Sequence, residues 1–418
     1  MCPQCPQANH ITHEKLFWYE YSEFWKDEQY RFLSAAFSPA DENTPLSDLD
    51  NRVHDLFSIS NWGNESVSFS LWDAIEPSLR VASLLIKEKK MMGYWSHVAN
   101  GFVVGDAEGK LHIASSTLED TSEGQMWVEA IFDHLATKTN FSFESLWEEA
   151  IYARHSTYRP HAWVYPETLR IKVAGKVKER PIYSTDHFIQ IDRHWLEYFE
   201  NIYAEDDFHR KMLMQWSFIS SLMHEVAHAF MCVCHGHIMD HCQYEPRVFF
   251  ENGIFEAGYQ YEMFLYGSKR LAAFDESMKY GHGIETQWNT QYIATDTAVS
   301  QDGFPDLFLP GEPGTTEFII PTSWMNSWFF KATWDQIRKS PSGFSFMQNE
   351  ISRVELRKFL LESINSVIEV TVDGVVKAKM RGKENYDLVI EEIRPAPGEL
   401  WIKRKPTPYR LPLRPIEW

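Results

Sequence analysis

The chain has 418 residues, 44% of them hydrophobic, which is enough to bury a sizeable core and to hold roughly two or three subdomains. Its net charge of −19 opposes phosphate, so neither nucleic acid nor an anionic membrane is expected as a partner. Five cysteines in so long a chain make no disulfide framework; with no basic-then-apolar leader and no apolar run read as long enough to cross a bilayer, the expected compartment is the cytosol.

Cys2-Pro3-Gln4-Cys5, followed by His10 and His13, brings four possible metal ligands together in a very short span. No hairpin or helix pattern supports them, so they read as a frayed tail rather than a structural zinc site. Phe17 to Phe37 is rich in aromatic residues, and Leu79 to Met92 has helical spacing. Trp127 to Ala153 reads as a third helical region interrupted by Lys138-Thr139-Asn140, which makes residues 1–160 a mainly helical N-terminal region. From Trp163 the pattern changes. Leu169 to Val173 and His187 to Asp192 alternate apolar and polar residues, as strands do.

No glycine or proline interrupts Phe208 to Cys234, and Met212, Leu213, Trp216, Ile219, Leu222 and Met223 recur at helical spacing. This helix carries His224-Glu225-Val226-Ala227-His228. Histidines four apart share one face and can hold one metal ion, while the glutamate between them can take a proton from a metal-activated water. Polar residues in so apolar a helix need a partner, since an unpaired imidazole or carboxylate is costly to bury.

Beyond the motif, Cys232, Cys234, His235, His237, Asp240, His241 and Cys242 crowd together. Their spacing matches no zinc-finger pattern, so an exposed loop after a helix end at Gly236 is preferred over a second metal site. In the metzincin pattern a glycine and a third histidine would come next; their places hold Met231 and Cys234, with His235 one residue out of register. A glutamate from a second helix is the alternative. Phe249 to Glu262, read as a helix begun near Asn252 or Gly253, offers Glu251, Glu256 and Glu262.

Over Met212 to Gly267 the chain resembles the gluzincin group of zinc metallopeptidases, in which H-E-x-x-H is completed by a glutamate from a following helix. It looks closer still to a set of fungal zincin-like sequences that pair the motif with an E-P step and E-x-G-x-x-x-E, here Glu245-Pro246 and Glu256-Ala257-Gly258-Tyr259-Gln260-Tyr261-Glu262. The resemblance implies His224, His228 and Glu256 as ligands of Zn²⁺, with iron also possible, and Glu225 as general base. The gap from His228 to Glu256 is longer than in the thermolysin-like pattern and the usual Asn-Glu pair is absent, which leaves Glu251 and Glu262 as rival ligands. It also implies an α+β fold: a zincin-like core of active-site helix and small sheet over residues 161–345, whose edge strand, here Phe188 to Asp192, takes up extended substrate.

Further along, Tyr259, Tyr280 and His282 are candidate donors to an oxyanion. Trp288 to Thr316, rich in Asp, Gly and Pro, suggests long loops near the cleft; Trp324 to Lys339 reads as a helix stopped by Ser340-Pro341-Ser342-Gly343. Residues 346–418 form a C-terminal extension of helix and strands: a hairpin over Val367 to Lys379 turning at Asp373-Gly374, then Asp387 to Ile393 and Leu400 to Lys403. The basic tail, Lys403 to Arg414, reads as a solvated strand and coil. The expected function is hydrolysis of an amide or peptide bond. The alternative is a metalloenzyme, zinc or iron, acting on a small aromatic metabolite in a closed pocket lined by residues such as Trp288, Tyr292, Trp324 and Trp328.

Overall fold

The computed structural model describes residues 45–63, 67–105, 109–146, 153–157, 166–206, 208–239, 245–248, 256–266, 269–272, 285–288, 315–319, 322–351, 354–361, 365–372, 375–382 and 388–393. The readings made for Cys2 to His13, Phe17 to Phe37, Asp240 to Cys242, Glu251, Tyr280, His282, Tyr292, Leu400 to Lys403 and the basic tail lie outside these residues.

The Ser68 hydroxyl accepts the amide of Leu71 and caps helix α1, Phe69–Lys87. Leu71, Ile75, Leu79, Ala82 and Ile86 then bury one face. The helix begins well before Leu79 because Pro77 is tolerated inside it. The carbonyl that Pro77 leaves unbonded belongs to Asp73, on the exposed side. Helix α2 is Gly93–Asn100, and β1, Phe102–Gly105, pairs antiparallel with β2, Leu111–Ala114. Helix α3, Ser122–Lys138, is capped by Thr121.

Among the described residues after α3, Thr139 to Leu146 and Ala153 are not helical, contrary to expectation. Strand β3, Thr139–Glu144, buries Phe141 and Phe143 while Asn140 and Glu144 face out, a period of two that the polar run hides in the sequence. Strand β4 is Ala153–Thr157. Strands β5, Pro166–Val173, and β6, Lys176–Tyr183, form a hairpin through Ala174 and Gly175, whose φ values of 48° and 80° match the strands' own twist. Strand β7, His187–Asp192, buries His187, Ile189 and Ile191.

The sheet built from these strands has the order β3-β7-β4, with β3 parallel and β4 antiparallel to β7. The segment Phe188 to Asp192 is therefore the centre of the sheet and not its edge. The outer position beside the metal-motif helix belongs to β4, five residues whose partly buried side chains give no clean alternation.

Helix α4 spans Arg193–Asn201, and α5 spans Phe208–Met239. Helix α5 runs past Cys234 but breaks its regular geometry at His235 (φ −134°, ψ 17°), whose Nε2 bonds the carbonyl of Val98. Trp216, Ile219, Met223, Val226, Phe230 and Val233 are all fully buried, so α5 is the core of the molecule. Its segment Met214–Gly236 is long and apolar enough to cross a bilayer, against expectation, yet 83% of that window is buried by the rest of the chain. One core runs from Leu56 to Met347, with Trp62 stacked on Phe141 and Phe218, and Trp216 on Trp328.

Helix α6, Ala257–Tyr266, packs on α5 and starts later than Asn252 or Gly253. Strands β8, Lys269–Ala272, β9, Glu285–Trp288, and β10, Thr315–Ile319, come next. The single helix expected over Trp324 to Lys339 is two: α7, Thr322–Ser327, and α8, Lys331–Lys339. The chain turns between them to bury Trp328 and Phe329, and α8 starts afresh where the amide of Lys331 donates to the distant carboxylate of Asp48 at 2.7 Å. Helix α9, Ser345–Ile351, leads to β11, Val354–Leu361, β12, Asn365–Val372, β13, Val375–Gly382, and β14, Leu388–Ile393. These join β8 to β10 in a seven-stranded antiparallel sheet of order β14-β13-β12-β11-β10-β9-β8. Val372 faces Val375 across the β12–β13 pair, and the Asp373-Gly374 expected to turn between them lies outside the described residues. The chain is thus a mixed α+β protein.

Candidate metal centre

Helix α5 places His224 and His228 on one face, one turn apart, and α6 brings Glu256 to meet them. Glu256 stands at the N-terminus of α6. Its carbonyl accepts the amide of Gln260 and its Oε2 accepts the amide of Tyr259, which is how an N-cap satisfies a helix start. That leaves Oε1, which lies 3.0 Å from Nε2 of His224 and in close contact with Nε2 of His228. One ligand atom from each of the three residues falls within 4.8 Å of the others, and no second such group occurs among the described residues.

Two more carboxylates hold the imidazoles from behind. Nδ1 of His224 lies 2.8 Å from Oε1 of Glu262, and Nδ1 of His228 lies 2.8 Å from Oε1 of Glu245. With each Nδ1–H donated outward, both Nε2 lone pairs face inward, the arrangement that ligating histidines require. Glu245 also accepts the amide of Ala257 with its Oε2, tying His228 to the start of α6. Glu262 thus meets the far nitrogen of His224 and stands outside the group formed by His224, His228 and Glu256. The E-P step and the E-x-G-x-x-x-E pattern each have a physical task here.

Gly258 explains the closeness of the two helices. A Cβ there would sit 2.3 Å from both Nε2 and Cδ2 of His224, inside any allowed contact.

The electrostatics suit a cation. Burial alone would lower the pKa of His224, but Glu256 and Glu262 outweigh it and raise it to about 10. His228 is likewise raised well above its ordinary value, burial being overcome by Glu245 and Glu256. Glu256 is held far below the usual carboxylate range, since His224 and His228 outweigh its burial. Two imidazoles and three carboxylates in a water-poor site demand positive charge at their centre. Protons supply it in the absence of a metal, and a divalent cation fits the same donors, with the mix of nitrogen and oxygen that zinc accepts.

Glu225 is 7% exposed; burial raises its pKa, partly offset by His224 and His228. Its carboxylate accepts the backbone amide of His155 on β4. Tyr259 is brought to the site too, its ring edge-on to His224 with centroids 5.0 Å apart. Of the residues crowded after the motif, Cys232 and Cys234 lie on α5 and form no disulfide among the described residues, and burial pushes the Cys234 thiol up to about 12 despite Arg180 nearby. His235 bonds Val98, and none of these three belongs to the group of His224, His228 and Glu256.

Sequence reasoning gives no site role to Glu245, Gly258, His155 or His187, and it offers Glu262 only as a rival ligand. The spacing of Glu245-Pro246 and of Glu256 to Glu262 could have signalled the orienting glutamates and the glycine between the helices; nothing in the sequence distinguishes the two histidines. Comparison with protein-family models, with curated proteins and with solved structures gives no match.

Proposed function

We propose that the protein is a metal-dependent hydrolase of the H-E-x-x-H zincin type, acting on an amide or peptide bond. The observation that carries this reading is the meeting of His224 Nε2, His228 Nε2 and Glu256 Oε1 beside a buried, basic carboxylate. A zinc ion, when bound, polarises a carbonyl and makes water acidic at neutral pH. His224, His228 and Glu256 would hold the ion, and Glu262 and Glu245 would keep both imidazoles aimed at it. Glu225 takes the proton from water and returns it to the leaving nitrogen, and the desolvation that raises its pKa makes it a better base for the first step.

An extended peptide would add to β4, the outer strand of the three-stranded sheet and the one whose amide touches Glu225. That keeps the endopeptidase form of the reading available although Phe188 to Asp192 is covered on both sides.

The test begins with elemental analysis of the purified full chain, followed by incubation of the zinc-loaded protein with a peptide mixture read by mass spectrometry. Glu225→Gln should keep its metal and lose at least about a hundredfold in turnover, because the amide has the shape of the base and none of its proton affinity. Cleavage at the original rate by that variant overturns the reading.

A further inference from the structure

Two histidines behind the centre take no part in holding a metal. His155 on β4 and His187 on β7 are diagonal neighbours across the antiparallel pair, in which His155 faces Ile189 and Thr157 faces His187. Nε2 of His155 lies 2.9 Å from Nδ1 of His187. Their rings are nearly parallel, with centroids 5.2 Å apart. His187 has no exposed surface, and its Nε2 finds no hydrogen-bond partner among the described residues. On its other side the His155 ring lies parallel to that of His228, at 6.3 Å and 4°, while the His155 amide donates to Glu225.

A fully buried imidazole on the strand face that also carries Ile189 is costlier than a leucine would be unless its hydrogen bond does something a leucine cannot. The geometry says which nitrogen donates. An orphaned buried N–H costs more than an orphaned lone pair, so the proton of His187 sits on Nδ1 and is donated to Nε2 of His155, leaving His155 protonated on its own Nδ1. Burial favours the neutral imidazole, lowering the pKa of His187 to about 3, so the bond persists at neutral pH.

Strand β4 needs such a pin. It is short and outermost, and a slip of one residue would turn its amides and side chains the other way. On the opposite face of the sheet, Arg154 Nε donates to Gln190 Oε1 at 2.9 Å, so the strand is clamped on both faces.

We propose that His187 is a positioning residue of the candidate centre: its Nδ1–H fixes His155, and the backbone amide of His155 in turn holds the Glu225 carboxylate in place beside the metal ligands. The role of Glu225 as base rests on the hydrolase reading; the hydrogen bond and its effect on His155 do not.

The test uses the full zinc-loaded chain with nitrogen-15 in its histidine rings. In the unsubstituted protein at about pH 7, His187 should be neutral and protonated on Nδ1. In His187→Leu, zinc should remain stoichiometric, the ring signals of His155 should move from one tautomer to an exchange average, and any peptide hydrolysis should fall by about tenfold or more. In His187→Asn, whose side-chain nitrogen stands where Nδ1 stood, the single tautomer and most of the turnover should return. A His155 tautomer unchanged in His187→Leu overturns the proposal, as does His187 protonated on Nε2 in the unsubstituted protein. Should the unsubstituted protein cleave nothing, the hydrolase reading falls, and the tautomers alone decide the positioning role. Should His187→Leu fail to fold, the unsubstituted protein and His187→Asn carry the same decision.

Discussion

At Gly258 the absence of one carbon sets the geometry of the centre. His224 cannot move aside for a methyl group there, because its Nδ1 is held by Glu262 and its Nε2 faces Glu256. Gly258→Ala must therefore push α6 away from α5 and take Glu256 with it. The expected result is loss of stoichiometric zinc together with about 1–3 kcal/mol of destabilisation, the usual cost of overpacking. Zinc content by elemental analysis and chemical unfolding measure the two effects, and full zinc occupancy in the alanine variant would contradict the close approach.

The pair α5 and α6 acts as a unit because both imidazoles of α5 are held by carboxylates from elsewhere in the fold, His224 by Glu262 and His228 by Glu245. Loss of an orienting carboxylate should weaken the metal without removing a ligand. Glu245→Gln and Glu262→Gln should each lower zinc affinity about tenfold, and the alanine variants up to about a hundredfold. Competition with a chromophoric chelator reads this, and affinities equal to the unsubstituted protein's would remove both residues from the centre. These roles mark where sequence reading ends. The two histidines and Glu225 are legible because a spacing of four fixes a shared helical face regardless of the surrounding fold. Glu256 is legible through resemblance only. Glu245 and Glu262 depend on how residues 245–248 and α6 meet α5, a fact no local pattern records. Strand β7 is legible from alternation, but its place in the sheet is not. The partner that covers it, Ala153–Thr157, is five residues long and comes after a stretch with helical composition. At β3 the period of two in Phe141 and Phe143 is too short to outweigh the polar residues before it.

Across the whole molecule, buried histidines of two kinds oppose each other as pH changes. Burial is the largest cause lowering the pKa of His54, His134 and His187, the last to about 3. The unfolded chain then binds more protons than the folded one, so their contribution is complete above 6.5 and is lost as pH falls from there toward about 3. His224 in the metal-free protein behaves in the opposite sense. Its contribution is complete below 6.5 and is lost as pH rises through about 10. Metal-free protein should accordingly melt lower on both sides of about pH 6.5, and saturating zinc should abolish the alkaline decline while leaving the acid one. Melting curves across that range with and without zinc test this; an alkaline decline unaltered by zinc would place the metal away from His224.

The amide that steadies Glu225 comes from residue 155, whereas every candidate ligand lies between residues 224 and 256. Under the hydrolase reading, the ligands and the base share one stretch of the chain and the group that steadies the base lies in another, where β4 lies against α5. Sequence drift confined to β4 could silence the chemistry and leave the ion seated, so a descendant of this protein could outlive its own reaction as a metal store or a scaffold.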